Sequence, residues 1–214
     1  MYKLALILGV FIIAGAGCAV NKEDNLSAED VLLPGEQAEP AATETMDEPT
    51  TASWSFPGVL PDETIAGKQI RISTAKGDIV FELFADTAPQ TVSNFVYLTE
   101  GSYYNGLTFH RREEGFVIQG GDPAGNGSGG PGYTFADELD DEYAYERGVV
   151  AMANRGLNTN GSQFFVMLAD TPLPKAYTIF GRVLEGMDVV DAIAVGDVMS
   201  TVSIEDITAE ETEE

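Results

Sequence analysis

The chain has 214 residues, 44% hydrophobic and 9% aromatic, which suffices for one well-buried domain with appendages. Its 35 acidic and 11 basic residues give a formal charge of −24, and no stretch clusters Lys and Arg. That excludes nucleic acid as a partner, and the acidity is read as serving solubility.

The chain opens with "MYKLALILGVFIIAGAGCAV", which carries one cation, Lys3, and then an apolar run from Leu4 to about Gly17. The run is shorter than the roughly 20 apolar residues that cross a bilayer, and it fits the h-region of a secretory signal peptide over residues 1–17. Cys18, the chain's one cysteine, stands where the small residues end. The pattern resembles a bacterial lipoprotein signal, in which cleavage leaves the cysteine first and its thiol carries lipid. Gly15 departs from it, standing where a larger aliphatic residue is usual. The alternative is an ordinary signal peptide with an incidental cysteine. Either implies export, and a single cysteine forms no internal disulfide in an oxidising compartment. Ala19 rather than aspartate after Cys18 resembles outer-membrane sorting, with the protein facing the periplasm.

Residues 18–56 read as a tether. The stretch from Asn21 to Ser53 holds nine acidic residues and three prolines with little apolar periodicity, too little burial to offset chain entropy. The folded domain is expected over 57–208, with an acidic tail at 209–214. Within it, "KQIRISTAKGDIVFEL" (68–83) predicts two alternating strands turning at Lys76-Gly77. "TAPQTVSNFVYLTEG" (87–101) predicts a helix, with Pro89 in the first turn and Gly101 at the stop. Short β-rich runs follow: "GLTFHR", "GFVIQGGD", "GVVAMAN", "SQFFVML" and "YTIFGRV". "MDVVDAIA" (187–194) predicts a second helix and "VSIEDIT" (202–208) a closing strand. Short strands between glycine-rich turns, with two helices, indicate a β-barrel or sandwich.

Several motifs are best read as structural. "GNGSGG" (125–130) spaces its glycines as dinucleotide sites do, but Pro131-Gly132 follows instead of a helix that could meet the phosphates. It is read as a flexible surface loop. "DELDDEYAYE" (137–146) lacks the spacing of a calcium loop and is read as a solvated acidic turn. His110, the one histidine, has no serine in a nucleophile-elbow pattern to serve, and is read as a hydrogen-bonded structural residue. No cofactor and no metal are expected.

What remains is a groove without acid, base or nucleophile. "FHRREEGFVIQGGD" (109–122) reads as strand, tight turn at Arg112–Gly115, strand. Period two sets Arg111 beside Val117 and Gln119. "MANRGLNTNGSQFF" (152–165) adds Asn154, Gln163 and Phe165, and "TPLPKAYTIFG" (171–181) adds Leu173 and Tyr177. Arg111 could instead form a surface ion pair with Glu113 or Glu114. Arg112, on the alternate face, is expected to pair with those glutamates.

These strings, in this order from about Lys68 to Ile193, resemble the cyclophilin-type peptidyl-prolyl cis-trans isomerases. The resemblance implies a mainly β fold, a closed eight-stranded antiparallel β-barrel capped by two α-helices. It implies that Arg111 is the catalytic arginine and that Phe116, Val117, Phe165 and Leu173 wall the proline pocket. Gln119, Asn154 and Gln163 would hold the substrate backbone, with Ala153 and Tyr177 completing the binding surface. Val117 stands where many members carry methionine, Tyr177 where many eukaryotic members carry histidine, and Pro172 where those carry the tryptophan associated with tight cyclosporin binding. The implied activity is rotation about X–Pro bonds in exported proteins, with Pro-containing flexible segments as partners and the membrane reached through lipid on Cys18. A monomer is expected. The alternative is a non-catalytic module that binds Pro-containing segments. Arg155, beside Asn154, could favour acidic residues preceding the proline.

Overall fold

The structure, a computed structural model, describes residues 53–207. The expected signal segment, Cys18, nearly all of the tether and the acidic tail lie outside the described residues.

Alternation builds the first hairpin. β1 (Lys68–Thr74) and β2 (Gly77–Leu83) pair antiparallel from Gln69↔Glu82 to Thr74↔Gly77. Ile70 opposes Phe81 and Ile72 opposes Ile79, so both apolar rows point into one core. A four-residue helix, α1 (Asp62–Ile65), precedes this hairpin. It is too short to give periodicity and was not expected from the pattern. α2 (Pro89–Glu100) begins on its proline and buries Val92, Phe95, Val96 and Leu98. The Phe95 ring packs on Phe81, Phe164, Phe180 and Tyr104 at the centre of the core.

The remaining strands are β3 (Arg111–Glu113), β4 (Val117–Gly120), β5 (Val149–Met152), β6 (Phe164–Met167), β7 (Ile179–Glu185) and β8 (Thr201–Asp206), with α3 (Met187–Ala192) between the last two. They form one antiparallel sheet in the order β3-β4-β6-β5-β7-β2-β1-β8. The sheet curls into a half-barrel but does not close, contrary to expectation, because β3 and β8 are not paired with each other. Segments 106–109 and 196–199 approach across that gap. They meet through one isolated bridge, Thr108↔Val198, and single hydrogen bonds such as Gly106 N–H to Met199 O (2.8 Å) and Phe109 N–H to Asp197 O (2.9 Å). Gly106 and Gly196 have positive φ and turn the backbone away from strand geometry, so no continuous ladder forms. Of "GLTFHR", only Thr108 and Arg111 therefore join β structure.

β5 and β6 are buried at every position, which explains their unbroken apolar runs. Their inward residues Val150, Met152, Phe164 and Val166 join the main core under α2. Their outward residues Val149, Ala151, Phe165 and Met167 join a second cluster with Phe84, Val117, Tyr145 and Ile179. This second face carries the site. At the N-terminal end, packing begins before the expected boundary at 57. Trp54 meets Tyr97 and Tyr103 edge-on, and Phe56 stacks on Phe135 at 5.0 Å. Two aromatics separated by one residue are enough to anchor the strap, although the composition around them is that of a linker.

Candidate active site

The pairing register assembles the site. Arg111 opposes Gln119, Gln119 opposes Phe165, and Phe165 opposes Ala151, so these four side chains form one row across β3, β4, β6 and β5. The turn that sets this register spans Glu113–Phe116, one residue later than expected, with Phe116 N–H donating to Glu113 O at 3.0 Å. Gly115 takes the left-handed conformation it requires (φ 67°).

A hollow of ≈160 Å³ opens on this row, lined by Arg111, Phe116, Val117, Gln119, Ala153, Asn154, Phe165, Leu173 and Tyr177. Phe165 and Tyr177 meet edge to face at 5.5 Å and form one apolar corner. Tyr177 is held by Tyr145, whose hydroxyl donates to Tyr177 O at 2.8 Å and accepts from Tyr177 N–H at 3.0 Å. Gln163 lies outside this hollow. It lines a neighbouring one of ≈130 Å³ that shares Gln119, Ala153 and Asn154 with the first.

A chain of side-chain hydrogen bonds links the two hollows. Arg111 Nη1 donates to Gln119 Oε1 at 2.9 Å, and Gln119 Nε2 donates to Gln163 Oε1 at 2.9 Å. Gln163 Nε2 then donates to the carbonyls of Gly127 (3.1 Å) and Gly129 (2.9 Å). The polarity is forced. A guanidinium only donates, so Gln119 must present its carbonyl oxygen to Arg111, and each following amide must point the same way. Arg111 Nη2 also meets Glu113 Oε1 at 2.5 Å, so the surface ion pair forms while the side chain lines the hollow. Arg111 Nε makes no hydrogen bond among the described residues. The side chain is 41% exposed, which leaves an edge for a ligand.

The glycine segment is therefore no free surface loop. Asp122, buried, accepts from the N–H groups of Ala124 (2.8 Å), Asn126 (2.9 Å) and Gly127 (2.5 Å). Burial raises the Asp122 pKa, but those three donors outweigh it and the carboxyl titrates below its ordinary range. A Cβ on Gly129 would collide with Asp122 Oδ1, which accounts for that glycine. Nor is the acidic segment 137–146 merely solvated. Glu138 accepts from Gln90 and Thr91 N–H, both at 2.9 Å, at the start of α2. The Asp141 side chain is buried and paired with Lys175.

Three assignments change. The Asn154 side chain is committed to the protein, donating to Ala176 O at 2.8 Å and accepting from Gly156 N–H at 3.2 Å. Its main-chain N–H and C=O, without partners among the described residues, are the groups it can offer a peptide. Both ring nitrogens of His110 are buried without a hydrogen-bond partner, contrary to the expected hydrogen-bonded histidine. Burial, reinforced by Arg111 and opposed by Asp122, lowers the His110 pKa. Arg112 does pair with Glu114, at 2.9 Å, but also donates to Ile193 O at 2.9 Å beyond the end of α3. Tyr145 and Asp122 were missed altogether. Tyr145 has no spacing signal because it acts on Tyr177, 32 residues away. Asp122, by contrast, gathers N–H groups two, four and five residues ahead, a local signal available in the sequence.

Residues 69–213 match the family model for cyclophilin type peptidyl-prolyl cis-trans isomerase. The chain belongs to this family. It is 46% identical over 154 residues to peptidyl-prolyl cis-trans isomerase A of Mycobacterium tuberculosis, covering 63% of this chain and 85% of that one. It is 47% identical over 135 residues to a peptidyl-prolyl cis-trans isomerase of Helicobacter pylori, covering 61% and 83%. Among solved structures it resembles a cyclophilin type isomerase of Cryptosporidium parvum, at 35% identity and TM-score 0.61, covering 65% of this chain and 98% of that one. A second structure of the Cryptosporidium protein was determined in the presence of the dipeptide Ala-Pro, and matches with TM-score 0.60. This cyclophilin is accordingly a peptidyl-prolyl isomerase. Its apolar hollow with one edge guanidinium is the surface on which the sequence motifs converge.

Proposed function

We propose that the isomerase accelerates X–Pro rotation by electrostatic stabilisation of the twisted amide, with Arg111 as the catalytic residue and no covalent or acid–base step. The peptide bond resists rotation because the nitrogen lone pair is delocalised into the carbonyl, a barrier of about 18–20 kcal/mol. In the twisted state the lone pair returns to nitrogen. A permanently charged donor placed there favours that state over either planar isomer. The proline ring lies against Phe116, Val117, Phe165, Leu173 and Tyr177, while Gln119, Ala153, main-chain groups of Asn154, and Gln163 through Gln119 hold the flanking chain. The Ala-Pro present with the related structure supports Pro-containing segments as ligands.

The observation that carries the reading is the half-exposed guanidinium at the rim of an apolar slot, held in place by Gln119. A hydrogen bond to a charged group contributes about 1.5–3 kcal/mol, so Arg111→Ala should lower kcat/KM by on the order of 10- to 150-fold. NMR exchange on a Pro tetrapeptide measures turnover and binding together. Equal turnover by Arg111→Ala and wild type would remove the mechanism.

The setting is part of the same proposal. The signal-like start and Cys18 support an exported enzyme acting on exported proteins, tethered by lipid in a bacterial envelope membrane. Mass spectrometry of the mature N-terminus decides it, since a mature residue 18 without lipid leaves a soluble exported enzyme.

A further inference from the structure

The described residues hold nine lysines and arginines. Eight of them pair with a carboxylate: Lys68, Arg71, Lys76, Arg111, Arg112, Lys175, Arg147 and Arg182. The ninth is Arg155, which has no carboxylate partner among the described residues. In a chain with 35 acidic residues this is no shortage of acids. Local geometry keeps them away, at one place.

That place is the second hollow. Arg155 lines it together with Gly127, Gln163 and Thr159. Its main-chain N–H is anchored on Thr159 Oγ1 at 2.8 Å, and its Nη2 reaches Gly127 O at 2.7 Å. The guanidinium thus connects two walls of the hollow and is exposed. One of its five donors is used, and the others have no partner among the described residues. Since the hollow shares Gln119, Ala153 and Asn154 with the proline slot, a peptide seated in the slot passes Arg155 within about three residues of its proline, at the reach of an extended chain. A group that is flat, anionic and able to accept two N–H bonds is what a free guanidinium edge binds best.

We propose that Arg155 is a specificity-determining residue, giving the isomerase a preference for proline segments with an Asp or Glu flanking the proline. The preference rests on the assignment of the Arg111 slot as the seat of the proline ring. An exposed ion pair gives about a two- to fivefold effect, and it is sensitive to salt.

The test is a heptapeptide series with a central proline, carrying Glu, Gln or Lys at each flanking position in turn, with kcat/KM read by NMR exchange. At one or two positions on one side, Glu should exceed Gln by about two- to fivefold and Lys should fall below it, with the spread contracting in 1 M salt. Only the ratios within each enzyme are compared, so a general loss of activity cancels. Arg155→Gln should bring the Glu/Gln ratio to about one, Arg155→Lys should retain part of it, and Arg155→Glu should reverse it towards Lys. Reversal is an outcome that a merely structural arginine would not produce. A flat wild-type profile, or a Glu preference that survives Arg155→Gln, overturns the proposal while leaving the proline slot intact. Failure of the wild type to turn over even the Gln peptides overturns the slot assignment and this inference together.

Discussion

Asp122→Asn removes one charge and changes almost no volume, so its cost reports on the carboxylate and the hydrogen bonds it accepts rather than on packing. Asp122 Oδ1 accepts from Ala124 N–H, and Oδ2 accepts from Asn126 and Gly127 N–H. An asparagine can supply one acceptor. If its oxygen takes the Oδ2 position, its NH₂ faces the Ala124 N–H, donor against donor. In the other orientation two N–H groups lose their partner. Each bond to the charged group is worth about 1.5–3 kcal/mol and an unsatisfied buried donor costs about 1–3, so the variant should lose about 2–5 kcal/mol. Urea unfolding at pH 7 measures it. The sign against pH follows from the depressed carboxyl. The Asp122 contribution is complete above the ordinary aspartate value of 3.8 and is lost as pH falls through its lower folded value. The gap between variant and wild type should therefore narrow in acid below that value. Because the same loop supplies the acceptors for Gln163, kcat/KM should fall as well. A variant within about 0.5 kcal/mol of wild type at pH 7 would refute the view that Asp122 builds the loop.

Two further predictions follow the same logic. The folded pKa of His110 is lowered below 6.5 by burial, so below that pH the unfolded chain binds the proton more readily and stability falls on acidification. His110→Gln should show a shallower loss between pH 7 and pH 5 in paired urea titrations, and identical slopes would reject the assignment. Arg112→Ala removes the donor to Ile193 O while leaving the Arg111 row untouched. It should cost about 1–3 kcal/mol in thermal or urea unfolding with kcat/KM within about twofold of wild type, and a loss as large as that of Arg111→Ala would place Arg112 in the site after all.

The parts of the molecule legible in the sequence were those governed by period and register. Alternation placed β1 and β2, the apolar runs placed β5 and β6, and period two set Arg111 beside Val117 and Gln119, while the alignment of Phe165 with that row came from the β4–β6 register. What failed was of another kind. The closed barrel failed because closure depends on how segments 106–109 and 196–199 meet, and two turn glycines with no mutual sequence signal control that. Asn154 has the residue type of a substrate-holding amide, but which of its polar groups faces the groove depends on Ala176, 22 residues away. The "GNGSGG" loop looked flexible because glycine permits flexibility. Here the glycines instead permit close approach to a buried carboxylate, and composition does not separate the two uses.

Under the proposed mechanism, which uses no acid, base or nucleophile, the whole demand falls on position, and the relay meets that demand in a specific way. Fixing a long polar side chain costs about 1.5–2 kcal/mol of rotamer entropy, so ordering Arg111, Gln119 and Gln163 only when substrate binds would cost on the order of 5 kcal/mol. That exceeds the about 1.5–3 kcal/mol a charged hydrogen bond at Arg111 can return. The relay moves the cost into folding, where the cores under α2 and beside Tyr145 offset it. It can do so only because its last donor finds fixed carbonyls at Gly127 and Gly129. Those carbonyls are fixed because Asp122 gathers the preceding N–H groups. Gly127 O is also where Arg155 is anchored, so the loop that terminates the Arg111–Gln119–Gln163 relay positions the residue proposed to govern substrate choice. A glycine-rich segment that reads as filler is thus the common support for both.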